Sequence, residues 1–350
     1  MSSRQFLRLE YVTSAESRSA GWHDVLGAAA FDGAARDAER ALRGGGIDVP
    51  LAHVHTPVLG DAREVLEVWR IGGSTRPGSS GHVRYSHGGD FLFGSVAVHE
   101  EELAGVAKSS LRTPLEMATD LVYKEMYATL AAAGKPTLIR VWNYIPDINL
   151  ETHGLERYRQ FNTARHGASL ASGHAVAGSV PAASALGAAP GSPLTLYFLA
   201  SHRAPAFIEN PRQVSAYRYP AQYGPRSPAF SRATVLGEGS EATLFVSGTA
   251  SIVGHRTLHA GDAAAQTRET LVNIEALLEE AGRRSRTAAL RLERLAYKVY
   301  VRDPKDLPAV RAELASALGT GASVLYLKAD ICRRDLAVEI EAAGGGRAAE

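Results

Sequence analysis

The chain reads as an α/β protein of two related halves, each a mixed β-sheet packed on helices. Two observations predict this. In the second half, short alternating apolar segments take turns with segments of helical period, in the order β-α-β-α-β-β. The middle of the chain carries a blurred copy of that order, and the copies keep step: 47 residues separate Gly94 from Val141, and 51 separate Gly248 from Val299.

The first copy opens with "FLFGSVAVHE" (91–100) as a strand. A helix follows over 112–133, rich in Leu, Met and Ala and stopped by Gly134 and Pro136. "TLIRVWNYIPDIN" (137–149) is a strand, "LERYRQFNTARHG" (155–167) a helix and "LTLYFLASH" (194–202) a strand. The stretch 167–193, rich in Ala, Gly and Ser and broken by His174, Pro181 and Pro190, is expected to be weakly structured or loop-rich. Residues 203–234 carry five prolines, three tyrosines and arginines at 203, 212, 218, 226 and 232. Proline at that density excludes a regular helix or a central strand, so this segment is expected to be a long connecting loop with a binding role.

In the second copy, "ATLFVSGTASI" (242–252) is a strand ending in a small-residue turn. Over 261–282, Thr267, Leu271, Ile274, Leu277 and Leu278 form one apolar stripe of a helix, with Asp262 as the expected N-cap and Gly282 as the expected stop. A strand (291–303), a second helix (304–318) and strands at 323–331 and 335–342 complete the unit. The expected organisation is thus an N-terminal half with an extra leading segment (1–202), the connecting loop (203–234) and a C-terminal domain (235–350). A cleft between duplicated halves is a common place for a ligand.

Bulk properties exclude several functions. Composition is ordinary for a globular protein, and a net charge of +1 without long charged runs argues against nucleic acid as a partner. Cys332 is the sole cysteine, so neither an intrachain disulfide nor a cysteine-based zinc cluster can form. That usage suits a reducing, cytoplasmic setting. No run of about 20 apolar residues is present, and the start "MSSRQFLRLEYVTS" lacks the apolar core of a signal peptide, so no membrane association is expected. There is no phosphate-binding Walker loop, nucleophile elbow or dinucleotide fingerprint. "IGGSTRPGSSGH" (71–82) reads as a flexible loop. "HVH" (53–55) offers two imidazoles but no third ligand, so no metal is expected.

The last strand poses the chemical question. Alternation turns Leu336, Val338 and Ile340 one way, and Ala337, Glu339 and Glu341 the other. Two carboxylates side by side mean either a wet face or one carboxylate at work in a cleft. Cations that could partner an anionic ligand are Arg157 and Arg165, eight residues apart on one helix, Arg226 in the Pro/Tyr loop, and Lys328, which alternates with Tyr326. Tyr217 and Tyr223 lie in the same loop as Arg226.

Residues 240–342 resemble the RidA/YjgF imine deaminases, through "FVSGTASI", "GDAAAQTRETLVNIEALL", "KVYVRDPKDLPAVRAEL" and "VEIEA". Over 140–342 the chain is more similar to the chorismatases, through "RVWNYIPDIN", "RYRQFNTARHGA", "FIENPRQVSAYRYPAQYGPRSPAFSRA", "SGTASIVGH" and "ADICRRDLAVEIEA". "GASVLY" puts Ala322 and Val324 where the simple deaminases carry an Arg-Ser-Cys anchor, so the carboxylate-binding role passes to other cations. The resemblance implies cofactor-free removal of the enolpyruvyl group of chorismate, releasing pyruvate. One branch hydrolyses chorismate to a dihydroxycyclohexadienoate. The other yields 3-hydroxybenzoate, and its cysteine seven residues before the catalytic glutamate resembles Cys332 before Glu339. Glu339 is then the general acid, Cys332 a second catalytic residue, and Arg157, Arg165, Tyr217, Tyr223, Arg226, Gly248 and Lys328 hold the substrate. The simple deaminases are trimers, which leaves a homo-oligomer open. Other functions on the same fold would be an imine deaminase or a non-catalytic metabolite-binding protein.

Overall fold

The computed structural model describes residues 6–13, 16, 21–32, 48–60, 64–107, 111–134 and 136–345. The outermost parts of the expected domains, 1–5 and 346–350, lie outside the described residues. Strands β1 (Leu7–Thr13), β2 (Val25–Asp32), β3 (Leu51–Val54) and β4 (Glu64–Ile71) form a sheet in the order β1-β4-β2-β3.

The first expected copy comprises β5 (Arg76–Ser80), β6 (Val83–Gly88), β7 (Phe91–Val98), α1 (Glu100–Ala107), α2 (Pro114–Ala132), β8 (Thr137–Pro146), the short pair β9 (Glu151–Thr152) and β10 (Leu155–Glu156), α3 (Arg157–Ala171), β11 (Ala182–Ala188) and β12 (Leu194–Ser201). The second comprises β13 (Pro205–Ile208), β14 (Ala233–Leu236), β15 (Thr243–Ala250), the short pair β16 (Ile252–Val253) and β17 (Arg256–Thr257), α4 (Ala263–Ser285), β18 (Leu295–Val301), α5 (Leu307–Leu318), β19 (Val324–Lys328) and β20 (Val338–Gly345). Their sheets run β5-β6-β7-β12-β8-β11 and β13-β14-β15-β20-β18-β19. The two match strand for strand and in direction. In each, the strand before the helices lies antiparallel to the last strand, and the pair joined by the last helix, α3 or α5, is parallel. The N-terminal sheet repeats the last four strands of that order, β7-β12-β8-β11 and β15-β20-β18-β19, with antiparallel, antiparallel and parallel pairing. In the sequence this stretch was legible only as an extra leading segment.

All three sheets turn a face to one core: Phe31 and Trp69 from the first, Trp142 and Tyr197 from the second, Phe245 and Tyr300 from the third. The helices cover the outer faces, α2 and α3 through Val122 and Phe161, and α4 and α5 through Ile274 and Leu314. The stripe Thr267, Leu271, Ile274, Leu277 and Leu278 is buried as expected, and Asp262 caps α4 by accepting from the Ala265 N–H at 2.9 Å.

The structure corrects four expectations. Gly282 does not stop α4, which continues to Ser285 and ends on Arg286 in the left-handed region at φ 52°. Within 167–193, β11 is a regular strand, because parallel pairing with β8 overrides its poor Ala/Gly propensity. Segment 71–82 contains β5, an edge strand. The Pro/Tyr stretch 203–234 begins and ends in strands: β13, with Pro205 as its first residue, lies at a sheet edge, where proline is tolerated, and β14 starts at Ala233.

Candidate active site

The alternation of β20 is realised, and neither of its faces is wet. Val338, Ile340 and Ala342 pack toward α4 and α5. Glu339 and Glu341 turn inward, each 4% exposed. Glu339 opens on a cavity of about 620 Å³ lined from both halves: Glu156, Tyr158 and Arg159 on one side, Tyr223, Arg232 and Arg333 among those on the other. A second cavity of about 640 Å³, around Lys124, Tyr127 and His174, has no carboxylate in its lining.

Local backbone geometry places the Glu339 carboxyl. The β15–β20 register shifts between Val246 and Thr249, a bulge that contains Gly248. The Gly248 N–H donates to Ser184 Oγ at 3.0 Å. A Cβ on Gly248 would stand 1.9 Å from Glu339 Oε1, so only glycine leaves that carboxyl its position. Cys332 Sγ lies 4.0 Å from Glu339 Oε2. Its loop is clamped by Arg302, whose guanidinium donates to the carbonyls of Ile331 (3.0 Å), Arg333 (2.8 Å) and Leu336 (2.8 Å).

The two carboxyls differ in charge because their surroundings differ. Burial, and then the charge of Glu341, push Glu339 up to about 8, against the opposing pull of Arg140, Arg232 and Arg302. Glu341 is buried too, which alone would raise it, but Lys298, Arg140 and Ser184 hold it below the ordinary carboxylate value. At neutral pH the site therefore pairs a protonated Glu339 with an ionised Glu341. Burial, reinforced by Glu339, raises the Cys332 thiol to about 12, so it is a neutral thiol. Tyr158, beside it, is raised by burial and stays a neutral O–H.

Of the residues singled out in the sequence, Glu339, Cys332, Gly248 and Tyr223 share the cavity. The others lie outside its lining. Arg157 is bound to Glu100 and to the Pro146 carbonyl, so its charge is already matched. Arg165 is buried, donating to Asn162 at 2.8 Å and lying 5.2 Å from the Phe161 ring. Arg226 and Lys328 are exposed, and Tyr217 lies under Arg218 at 6.0 Å. The cations that do reach the cavity include Arg232, Arg256 and Arg333. Arg333 is held 4.1 Å from the Tyr223 ring and 5.0 Å from that of Tyr219, and its Nη2 is buried without a hydrogen-bond partner. Arg232 donates to the Tyr219 hydroxyl at 2.8 Å and keeps Nε unpaired. A guanidinium in the lining of a cavity is the natural partner of a carboxylate. The sequence signal for Arg333 was its place next to Cys332; the loop, having no period, gave no sign of its direction.

Residues 67–200 match the family model described as chorismatase FkbO/Hyg5-like, N-terminal. A chorismatase of Streptomyces rapamycinicus is 38% identical over 301 residues, covering 83% of this chain and 85% of that protein. The chain belongs to the chorismatase family. A 3-hydroxybenzoate synthase of Streptomyces hygroscopicus is 37% identical over 289 residues, covering 80% of this chain and 81% of that protein. A chorismatase crystal structure at 1.08 Å resolution aligns with a TM-score of 0.84 at 32% identity, over 98% of this chain and 99% of that one. The structural likeness to chorismatases thus takes in the N-terminal sheet as well as both helical copies.

Proposed function

We propose that the protein removes the enolpyruvyl group of chorismate and releases pyruvate and 3-hydroxybenzoate, with Glu339 as the general acid. The observation that carries this is a carboxyl held protonated near neutral pH, 4.0 Å from a neutral thiol, in a cavity supplied with arginines. An enol ether is cleaved by protonating its terminal methylene. Carbon is a reluctant base, so the donor must keep its proton at neutral pH, as Glu339 does. Chorismate is a dianion, and Arg333 and Arg232 line the cavity as cations for its carboxylates.

Glu339 gives its proton to the methylene carbon, making an oxocarbenium centre at the ether carbon. The ring hydroxyl next to the ether attacks the ring carbon that bears it. That carbon–oxygen bond breaks, and its electron pair becomes part of the pyruvate carbonyl. The hydroxyl proton returns to Glu339. The resulting arene oxide isomerises to 3-hydroxybenzoate, and no water is consumed. Cys332 lines the site with a weakly polar group that holds water poorly, which protects the cation from hydrolysis. Product analysis of Cys332→Ala tests this role. Part of the flux should divert to the non-aromatic dihydroxy acid, and an unchanged product ratio would confine Cys332 to packing.

A further inference from the structure

Behind Glu339 lies a buried cluster that the proposed chemistry does not use directly. Lys298 Nζ stands 2.5 Å from Glu67 Oε2, 2.9 Å from Glu341 Oε1 and 2.8 Å from the Tyr197 hydroxyl. These three partners come one from each sheet, on β4, β20 and β12. Their register is equivalent: Glu67 is opposite Ala29, Tyr197 opposite Trp142, and Glu341 opposite Lys298. Glu341 also receives Arg140 Nη2 and the Ser184 hydroxyl through Oε2 (2.8 and 2.6 Å), and Trp142 Nε1 through Oε1 (2.6 Å). Glu67 Oε1 accepts from Trp69 Nε1 at 2.8 Å. Lys298, Glu67, Glu341 and Arg140 are all less than 5% exposed. Two buried cations therefore meet two buried carboxylates, and a third carboxyl, Glu339, adjoins the cluster, where Arg140, Arg232 and Arg302 act on it only at longer range.

We infer that Glu67 and Glu341 are positioning residues for the acid: with Lys298 and Arg140 they form a charge-balanced cluster that has no cation left over for Glu339, so that it keeps its proton. This rests on Glu339 being the general acid. The groups facing Glu341 are Lys298 and Tyr300 from β18, Arg140 and Tyr144 from β8, Glu67 from β4, Tyr11 from β1 and Tyr197 from β12. Those facing Glu339 are Glu341, Arg140, Arg232 and Arg302, with Cys332 and Tyr158 beside it. Every tyrosine of the two sets is held above its ordinary value by burial first, so the balance rests on the carboxylates and cations. Removing a carboxylate leaves a cation in excess, and Glu339 then ionises at lower pH. Removing Lys298 does the reverse.

The test is the alkaline limb of kcat/KM, which reports the free enzyme. In Glu341→Gln it should move to lower pH by about one unit or more, and in Glu67→Gln by about half a unit at its greater remove. In Lys298→Met it should not move to lower pH. A structural role alone would lower the rate in all three and leave the limb in place. Folded Glu67→Gln and Glu341→Gln enzymes with the wild-type limb would overturn the inference, and so would a Lys298→Met limb shifted to lower pH. Should a variant fail to fold, titration of the wild type by carbon-13 glutamate NMR decides. One buried carboxyl must stay ionised over about pH 5 to 9 while its neighbour loses a proton near its upper end. Two carboxyls titrating together would overturn the inference. Full activity of Glu339→Gln would instead remove the acid assignment itself, which separates the two failures.

Discussion

Glu339 and Glu341 show how much two residues on one strand face can differ. Glu339→Gln is nearly isosteric but cannot deliver a proton as an acid does. Steady-state kinetics should show a kcat loss of roughly 10²- to 10⁴-fold, with chorismate affinity kept within about tenfold. The same group carries a stability signature. Its folded value of about 8 lies above that of an ordinary, unfolded carboxyl. The neutral carboxyl's contribution is therefore complete below the unfolded value and is lost as pH rises through about 8. Calorimetry should accordingly find Glu339→Gln gaining Tm over wild type as pH rises from mildly acid to about 8, with little gain at the acid end. Arg333→Ala should raise KM strongly, because a substrate carboxylate would lose a buried guanidinium, whereas Arg226→Ala should change it little; similar KM values for the two would misplace the anchor. Glu339 and Cys332 could be singled out because strand alternation and family spacing both point at them. Arg333 and Arg232 could not, since their direction is set by Tyr219 and Tyr223 in a loop with no period of its own.

Among the elements, the segment between β19 and β20 matters most. It has no regular structure, yet it sets Cys332 against Glu339 because Arg302, just past β18, holds three of its carbonyls. Arg302→Ala leaves those acceptors unpaired, at about 1–3 kcal/mol for each buried group. Urea unfolding should show a loss of several kcal/mol, and the residual activity should favour the hydrolytic product as the loop loosens. Unchanged stability would mean that the clamp is dispensable. The strands and helices around this segment were legible from periods of two and 3.6. The exceptions lacked a local signal: β11 is Ala- and Gly-rich and becomes a strand through β8, and β5 is a Gly/Ser/Pro segment held along the sheet edge by β6.

Across the whole molecule, one order of four strands occurs three times around a shared core, and among the described residues helices cover two of the three sheets. The duplication could be read because the order of strands and helices in the second half recurs in the middle of the chain at nearly the same spacing. The N-terminal sheet could not, because its strands share the topology and hardly any of the residues. Trp69 is where the three sheets meet, 5.8 Å from Trp142 and 5.9 Å from Phe245. Trp69→Ala should cost about 3–5 kcal/mol and lower the unfolding midpoint of the entire chain in one transition. Separate transitions would show that the N-terminal sheet folds apart from the rest.

The proposed chemistry is tested most directly by the products that the wild-type protein makes from chorismate, separated and quantified after complete turnover. Pyruvate and 3-hydroxybenzoate in equal amounts are expected. A dihydroxycyclohexadienoate as the main ring product, or no release of pyruvate, would contradict the assignment.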